Sequence, residues 1–395
     1  MRRAPHLVVV QIILGLFILL GIAYVLREHV AAARAQTQQE GIPTFQFDTG
    51  WPRPLPNNWV LGGSASIIVD SRDHVWIIHR FRSVPAAEIA AGKKAAPPVV
   101  EFDPEGNVVQ AWGGPGQGYN WPEENLTDYP RGSPAEHGIH VDYKDNVWVT
   151  GNGDVVLKFT RAGKLLMQIG EFFKNGGSND KRLLGNSTDM FVDPKTNELF
   201  VSDGYLNRRV IVFDADTGKY KRHWGAYGKK PDDGPAVNYE PDKPLPQQFF
   251  IVHCIQLSKD GLVYVCDRQR DRLQIFQRDG KFVKEVVIAK DTPAGAGITM
   301  KGPLSAGVTK AGIGTVYRVG FSADPQQRFL YVGDSSSSKI WILRRSDLAV
   351  LGSFEARGIH HMAGADSKGN LYTTGSRTPQ RFLFKGMSVK SSREP

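Results

Sequence analysis

One short pattern recurs six times along this 395-residue chain and restricts what it can fold into. A strand with a central aromatic reads Val75-Trp76-Ile77, Val147-Trp148-Val149, Leu199-Phe200-Val201, Val263-Tyr264-Val265, Leu330-Tyr331-Val332 and Leu371-Tyr372-Thr373. A second strand-like run follows each copy, at residues 99–102, 155–159, 210–213, 273–276, 340–343 and 381–384. Gly, Asp and Asn turns separate the runs, and no amphipathic helical period of useful length appears after residue 40. With an apolar strand before the motif and an outer strand after it, often ending in Trp-Gly, each unit holds four strands. Six such units predict an all-β, six-bladed β-propeller over residues 55–387. The last unit stops after its third strand, while Trp59-Val60-Leu61-Gly62 resembles the fourth strand of the others. An N-terminal strand is therefore expected to complete the sixth blade and close the ring, which removes exposed sheet edges. Residues 36–54 then read as a linker and 388–395 as a tail.

The first 35 residues stand apart, because Arg2 and Arg3 precede a run from Leu7 to Leu26 that only Gln11 interrupts among apolar and small residues. This is an export signal. A run of about 20 residues can span a bilayer as one helix, whereas signal-peptide cores hold about 7–15. Ala33-Arg34-Ala35 also offers a cleavage site. The segment is a membrane anchor or a cleaved signal peptide, its length favouring the anchor, and either way the globular part is expected outside the cytoplasm, periplasmic or secreted. The net charge of +9 is dispersed among acidic residues with no basic run, so a mildly basic solvated surface is expected and nucleic acid is not a partner. Cys254 and Cys266 are too few for a disulfide scaffold; a single bridge and two buried small residues both remain open.

The first strand of a propeller blade lines the central channel, so the residue that opens it points at the axis near one mouth. Counting back from the aromatic motif, with one extra turn residue in the third and fifth blades, gives Ala65, His137, Thr188, His253, Val319 and His361. Histidine fills every second blade. Alternate blades of a six-fold ring lie about 120° apart, so three imidazoles meet with the mouth left open, a donor set that suits zinc, or iron as second choice. The loop after each second strand shares that face. Four residues past the central aromatic stand Arg80, Asn152, Gly204, Arg268, Ser335 and Ser376, with Tyr205 beside Gly204. Arginines pair with a carboxylate through two parallel hydrogen bonds. A tyrosine near a metal and a guanidinium can act as a base if its pKa is lowered. The long segments 83–98, 113–135, 225–248 and 290–316 fall mainly on the same side and predict a covered cleft.

His137-Gly138-Ile139, Val201-Ser202-Asp203-Gly204-Tyr205 through Arg208, His253 through Asp267-Arg268, and His79-Arg80 after Val75-Trp76 resemble the NHL-repeat propeller of the peptidyl-α-hydroxyglycine α-amidating lyases. The resemblance covers roughly residues 55–385. It implies zinc on His137, His253 and His361, catalysis by Tyr205 and Arg80, substrate binding by Arg268, and cleavage of an α-hydroxyglycine into an amide and glyoxylate. Met362 takes the place of the aspartate that contributes to the family's structural calcium site, which leaves calcium without one of its ligands. Leu206 replaces a family cysteine, and no copper monooxygenase domain precedes the propeller in this sequence. The expected partner is a small carboxylate-bearing or peptide substrate, with the membrane as a second partner if the first segment stays attached. A metal-assisted hydrolase on the same site, and a non-enzymatic NHL propeller binding a protein or polymer, are the alternatives.

Overall fold

The aromatic-centred strands are buried along nearly their whole length, because each is packed between two neighbouring sheets rather than between a sheet and water. In the computed structural model, which describes residues 41–116, 118–121, 136–151, 153–235, 240–291, 314–359 and 361–388, these strands are the second strands of six blades of a β-propeller. Blade 1 runs Gly63–Val69, Val75–Arg80, Val99–Phe102, Val108–Trp112, and blade 2 runs Glu136–Val141, Val147–Gly151, Val155–Phe159, Leu165–Gly170. Blade 3 runs Ser187–Asp193, Glu198–Asp203, Arg209–Asp214, Tyr220–Trp224, and blade 4 runs Val252–Leu257, Val263–Asp267, Arg272–Phe276, Phe282–Val287. Blade 5 runs Arg318–Phe321, Phe329–Asp334, Lys339–Arg344, Val350–Glu355. All of these strand pairs are antiparallel, so the apolar core lies as slabs between adjacent blades.

The sixth blade is closed from the N-terminal side, but by a different segment from the one expected. Its sheet orders Leu371–Thr373, Gln380–Ser388 and then Ile42–Asp48, so part of the supposed linker is the closing strand. Trp59–Val60 instead pairs in parallel with Lys94–Ala95, inside the long insertion of blade 1. Geometry forces this outcome. An outer strand lies three inter-strand spacings, about 14 Å, from the innermost one, and no residue separates Gly62 from the inner strand that starts at Gly63. The Ile42–Asp48 strand instead inserts Phe45 between blades, stacked on Phe354 at 5.0 Å and edge-on to Tyr331 at 5.5 Å. Asp48 pairs with Arg381 at 2.6 Å on the neighbouring strand. Chain compactness separates Phe45–Phe384 from a second unit made of the two chain ends, where Thr44 Oγ1 donates to the Gly386 carbonyl at 2.9 Å.

The hydrophobic segment 1–35 lies outside the described residues, and among the described residues no helix is long and apolar enough to cross a membrane. The closing strand makes a direct prediction. Phe45→Ala is expected to cost about 2 kcal/mol, below the ~3–5 of a fully buried Phe because the site is partly exposed. Phe47→Ala, whose side chain is 48% exposed, is expected to cost under about 1 kcal/mol. Urea unfolding of the two variants checks the order.

Candidate metal centre and active site

Near the start of four inner strands the antiparallel register skips a single residue: Ala65 in blade 1, His137 in blade 2, Thr188 in blade 3 and His253 in blade 4. Such a bulge bends the strand and re-aims the extra side chain, here toward the axis. Blade 5 corrects the sequence count. The central aromatic Tyr331 pairs with Gly320, eleven residues back, whereas Trp148 pairs with His140, eight residues back. The longer hairpin makes Tyr317 the equivalent of His137, and Val319 faces a cavity of ≈ 520 Å³ that Ile68, Val141 and Phe321 also line. His361 in blade 6 comes from an irregular inner segment, held to the second strand by Thr374 N–H on its carbonyl at 2.9 Å.

The three histidines converge, with ring centroids 5.1, 4.9 and 4.9 Å apart and one nitrogen of each within 4.8 Å of the others. Their tautomers follow from their partners. His137 Nδ1 lies 2.8 Å from the Thr188 carbonyl and His253 Nδ1 lies 2.8 Å from the Tyr317 carbonyl, so both Nδ1 atoms carry the proton and donate. Each Nε2 then keeps its lone pair, and both face the Tyr205 hydroxyl, at 3.0 and 3.3 Å. The pattern is regular: a histidine on an even blade is oriented by the backbone of the equivalent residue on the next odd blade. His361 Nδ1 breaks it, since this buried nitrogen has no hydrogen-bond partner among the described residues. Burial, reinforced by nearby guanidiniums, pushes the imidazoles far below their ordinary pKa, His137 to about 3. Three neutral imidazoles, two of them oriented by backbone carbonyls, with an open side fit a catalytic zinc or iron site.

Two loops bring the other residues to this point by the same device. Asp203 ends the second strand of blade 3 and accepts hydrogen bonds from Gly185 N–H, Ser187 Oγ, Asn207 Nδ2 and the fully buried Arg209. Gly204 follows, and a Cβ there would sit 2.1 Å from the Val252 carbonyl, so only glycine lets the loop lie against the strand that carries His253. Tyr205 is thereby set over the histidines. In blade 4 Asp267 accepts from Phe250 N–H and from the fully buried Arg272, and Arg268 follows it. The Arg268 guanidinium lies 5.6 Å from the Tyr205 ring and 5.0 Å from the Tyr317 ring, with Nη1 3.4 Å from the Tyr205 hydroxyl. Its Nε and Nη2, the two donors of one guanidinium edge, have no partner among the described residues. Arg80 reaches the Glu136 carbonyl at 3.5 Å and feels the charges of Tyr205 and Glu136, although burial is the larger influence and lowers its pKa.

Sequence reasoning missed Tyr317 and the buried Asp–Arg pairs. A signal for the pairs was present: Asp203 and Arg209, Asp267 and Arg272, and Asp334 and Lys339 all close the same hairpin in successive blades. Ser335 hydrogen-bonds the Tyr317 side chain, and the Ser376 carbonyl accepts the Ser64 N–H at 3.4 Å. Asn152 and most of segments 113–135 and 290–316 lie outside the described residues. Cys254 and Cys266 are directly opposed across two strands and form a disulfide. Met362 is fully buried and offers only a thioether, so the residues here do not fit a hard oxygen-seeking cation such as calcium. Asp70, His74 and Glu101 also cluster, but the Arg161 guanidinium already bridges the two carboxylates.

No protein-family model matches the chain. Among curated proteins it is 33% identical over 265 residues to the peptidylglycine alpha-amidating monooxygenase of Rattus norvegicus, a match covering 62% of this chain and 24% of that protein. It is also 26% identical over 252 residues to peptidyl-alpha-hydroxyglycine alpha-amidating lyase 1 of Drosophila melanogaster, covering 59% of this chain and 40% of that one. This chain resembles the amidating-lyase propellers. The chain spans about a quarter of the length of the amidating monooxygenases it matches. NHL repeat-containing protein 3 of Mus musculus is 26% identical over 250 residues, 60% of this chain and 58% of that protein. Among solved structures, virginiamycin B lyase from Staphylococcus aureus aligns over 85% of this chain and 82% of that one at 14% identity and a TM-score of 0.46, too low to bear on chemistry.

A buried neutral histidine binds no proton in the folded chain but binds one when unfolded below its ordinary pKa near 6.5. Unfolding thus takes up a proton between the folded and unfolded values, and stability is lost as pH falls through that window. In metal-free protein, His361→Gln removes one such proton. From pH 7 to 5 the native chain is therefore expected to lose stability relative to the variant, with a limiting slope of about 1.4 kcal/mol per pH unit. Parallel urea titrations at several pH values measure the difference.

Proposed function

We propose that this propeller is a metal-dependent carbon–nitrogen lyase that splits an α-hydroxyglycine-type substrate into an amide and glyoxylate. The observation that carries the reading is the meeting of two oriented Nε2 lone pairs on one tyrosine hydroxyl, beside an arginine edge whose two donors have no partner among the described residues. Zinc or iron, held by His137, His253 and His361, would supply Lewis acidity for an oxygen of the substrate. The chain's own groups do the rest. The Nε and Nη2 donors of Arg268 match the two oxygens of a carboxylate and hold the glycine end of the substrate. Tyr205, acting as its phenolate, takes the proton of the α-hydroxyl; the oxygen's electron pair forms the C=O of glyoxylate while the C–N pair leaves with the amide nitrogen, and the tyrosine proton passes to that nitrogen, which restores the phenolate. Arg80, half-buried at the end of its strand, keeps its charge beside Tyr205 and favours the anionic oxygen that develops there.

The reading includes export. The N-terminal hydrophobic segment carries the propeller out of the cytoplasm, as a membrane anchor or as a cleaved signal, and a Cys254–Cys266 bridge suits an oxidising compartment. Alkylation of the denatured, unreduced protein is expected to label neither cysteine.

Purified chain is expected to hold about one zinc or iron, lost in His137→Ala and in His253→Ala. Supplied with α-hydroxyhippurate, it is expected to release glyoxylate. Tyr205→Phe should lower kcat by about 10²- to 10⁴-fold. Arg268→Ala should act mainly on KM, by roughly 30-fold, the loss of a charge-assisted hydrogen-bonded pair worth about 2 kcal/mol. Full activity in Tyr205→Phe would sink the mechanism. A native chain with neither metal nor glyoxylate release would instead be a binding propeller.

A further inference from the structure

One residue deeper along the six inner strands stand Ser66, Gly138, Asp189, Cys254, Arg318 and Met362. Two of them form a buried acid–base pair, Asp189 completely buried and Arg318 with 2% exposure, the guanidinium Nη1 lying 2.5 Å from the carboxylate Oδ1; burial raises the Asp189 pKa, and the guanidinium pulls it part of the way back down. The pair joins blade 3 to blade 5 across the channel. On blade 4, between them, the second carboxylate oxygen accepts the Ile255 N–H at 3.1 Å and Gln256 Nε2 at 3.4 Å. One carboxylate and one guanidinium therefore tie the inner strands of three consecutive blades.

Their chain neighbours give this tie its meaning. Thr188, whose carbonyl receives the His137 Nδ1 proton, is bonded to Asp189. Tyr317, whose carbonyl receives the His253 Nδ1 proton, is bonded to Arg318. The Tyr317 ring also lies edge-on to His253 at 5.1 Å. Moving either charged residue moves a carbonyl that aims a histidine, and such outer partners of metal ligands commonly set affinity.

We propose that Arg318 and Asp189 are the positioning pair of the three-histidine centre, and that the Arg318 guanidinium is the channel's built-in cation, so that no divalent ion is needed beneath the histidines. This rests on reading the histidines as a metal centre, but its first test needs no metal. Breaking a buried pair by removing one member leaves an uncompensated charge, whereas replacing both by apolar residues commonly spares the fold. The informative variants are therefore the double change Arg318→Met with Asp189→Leu and the near-isosteric Asp189→Asn.

Full-length, metal-free protein carrying ¹⁵N-labelled histidine is compared by long-range ¹H–¹⁵N NMR of the ring nitrogens. In the native chain His137 and His253 are expected to show a single Nδ1-protonated tautomer. In the double variant, with its melting temperature near native, both are expected to lose that single tautomer, and zinc affinity is expected to fall by about 10- to 100-fold. Unchanged tautomers in the folded double variant overturn the proposal, and if that variant does not fold, unchanged tautomers in Asp189→Asn overturn it. A melting temperature of the native chain that rises with added calcium and falls with a chelator overturns the built-in cation. Failure of the native chain to bind either zinc or iron sinks the metal reading, while the ring-nitrogen signals still decide the positioning pair.

Discussion

A bulge at the head of an inner strand is the constraint on which the site depends. In a regular ladder every side chain points to one face or the other of its blade, and none points along the sheet edge into the channel. The unpaired residue is released from that alternation, so His137 and His253 can turn toward the axis while the strand below them stays in register. Thr188 is released in the same way, and its carbonyl becomes free to receive the His137 Nδ1 proton. The backbone irregularity thus supplies both the ligand and the group that orients it.

Polar burial follows a division of labour across the propeller. The charges that shape the loops are paired: Arg209 with Asp203 and Arg272 with Asp267, all fully buried, each carboxylate also collecting backbone N–H groups. At the mouth the opposite holds for particular atoms. Among the described residues Arg268 Nε and Nη2 and His361 Nδ1 are buried without partners, a cost that a bound carboxylate or a shift of the imidazole offsets. Rigid, satisfied hairpins therefore present a few unsatisfied donors to one small space, and this is the arrangement that preorganised chemistry requires.

The blades were legible because burial on both faces of a middle strand demands apolar residues around an aromatic, a demand that repeats wherever a blade repeats. Alternate histidines were legible for the same reason, since a fixed count separates the inner residue from the motif while the hairpin length stays near constant. That count failed at blade 5, where a longer hairpin made Tyr317 the inward residue in place of Val319. It also failed at the ring closure. Trp59 to Gly62 has the look of an outer strand, yet chain connectivity to Gly63 denies it that place, and Ile42–Asp48 takes it through Phe45.

By itself, the sequence determined the fold class, the blade that each of His137, His253 and His361 belongs to, and the loops that hold Arg80, Tyr205 and Arg268, because these follow from local periodicity and spacing. Only the tertiary structure decided which backbone carbonyls orient the imidazoles, which edge of Arg268 stays free, and that Asp189 meets Arg318 across the channel. Those contacts join residues 51, 64 and 129 positions apart. No local pattern encodes a pairing between blades, which exists only once ring closure fixes how far apart the inner strands stand.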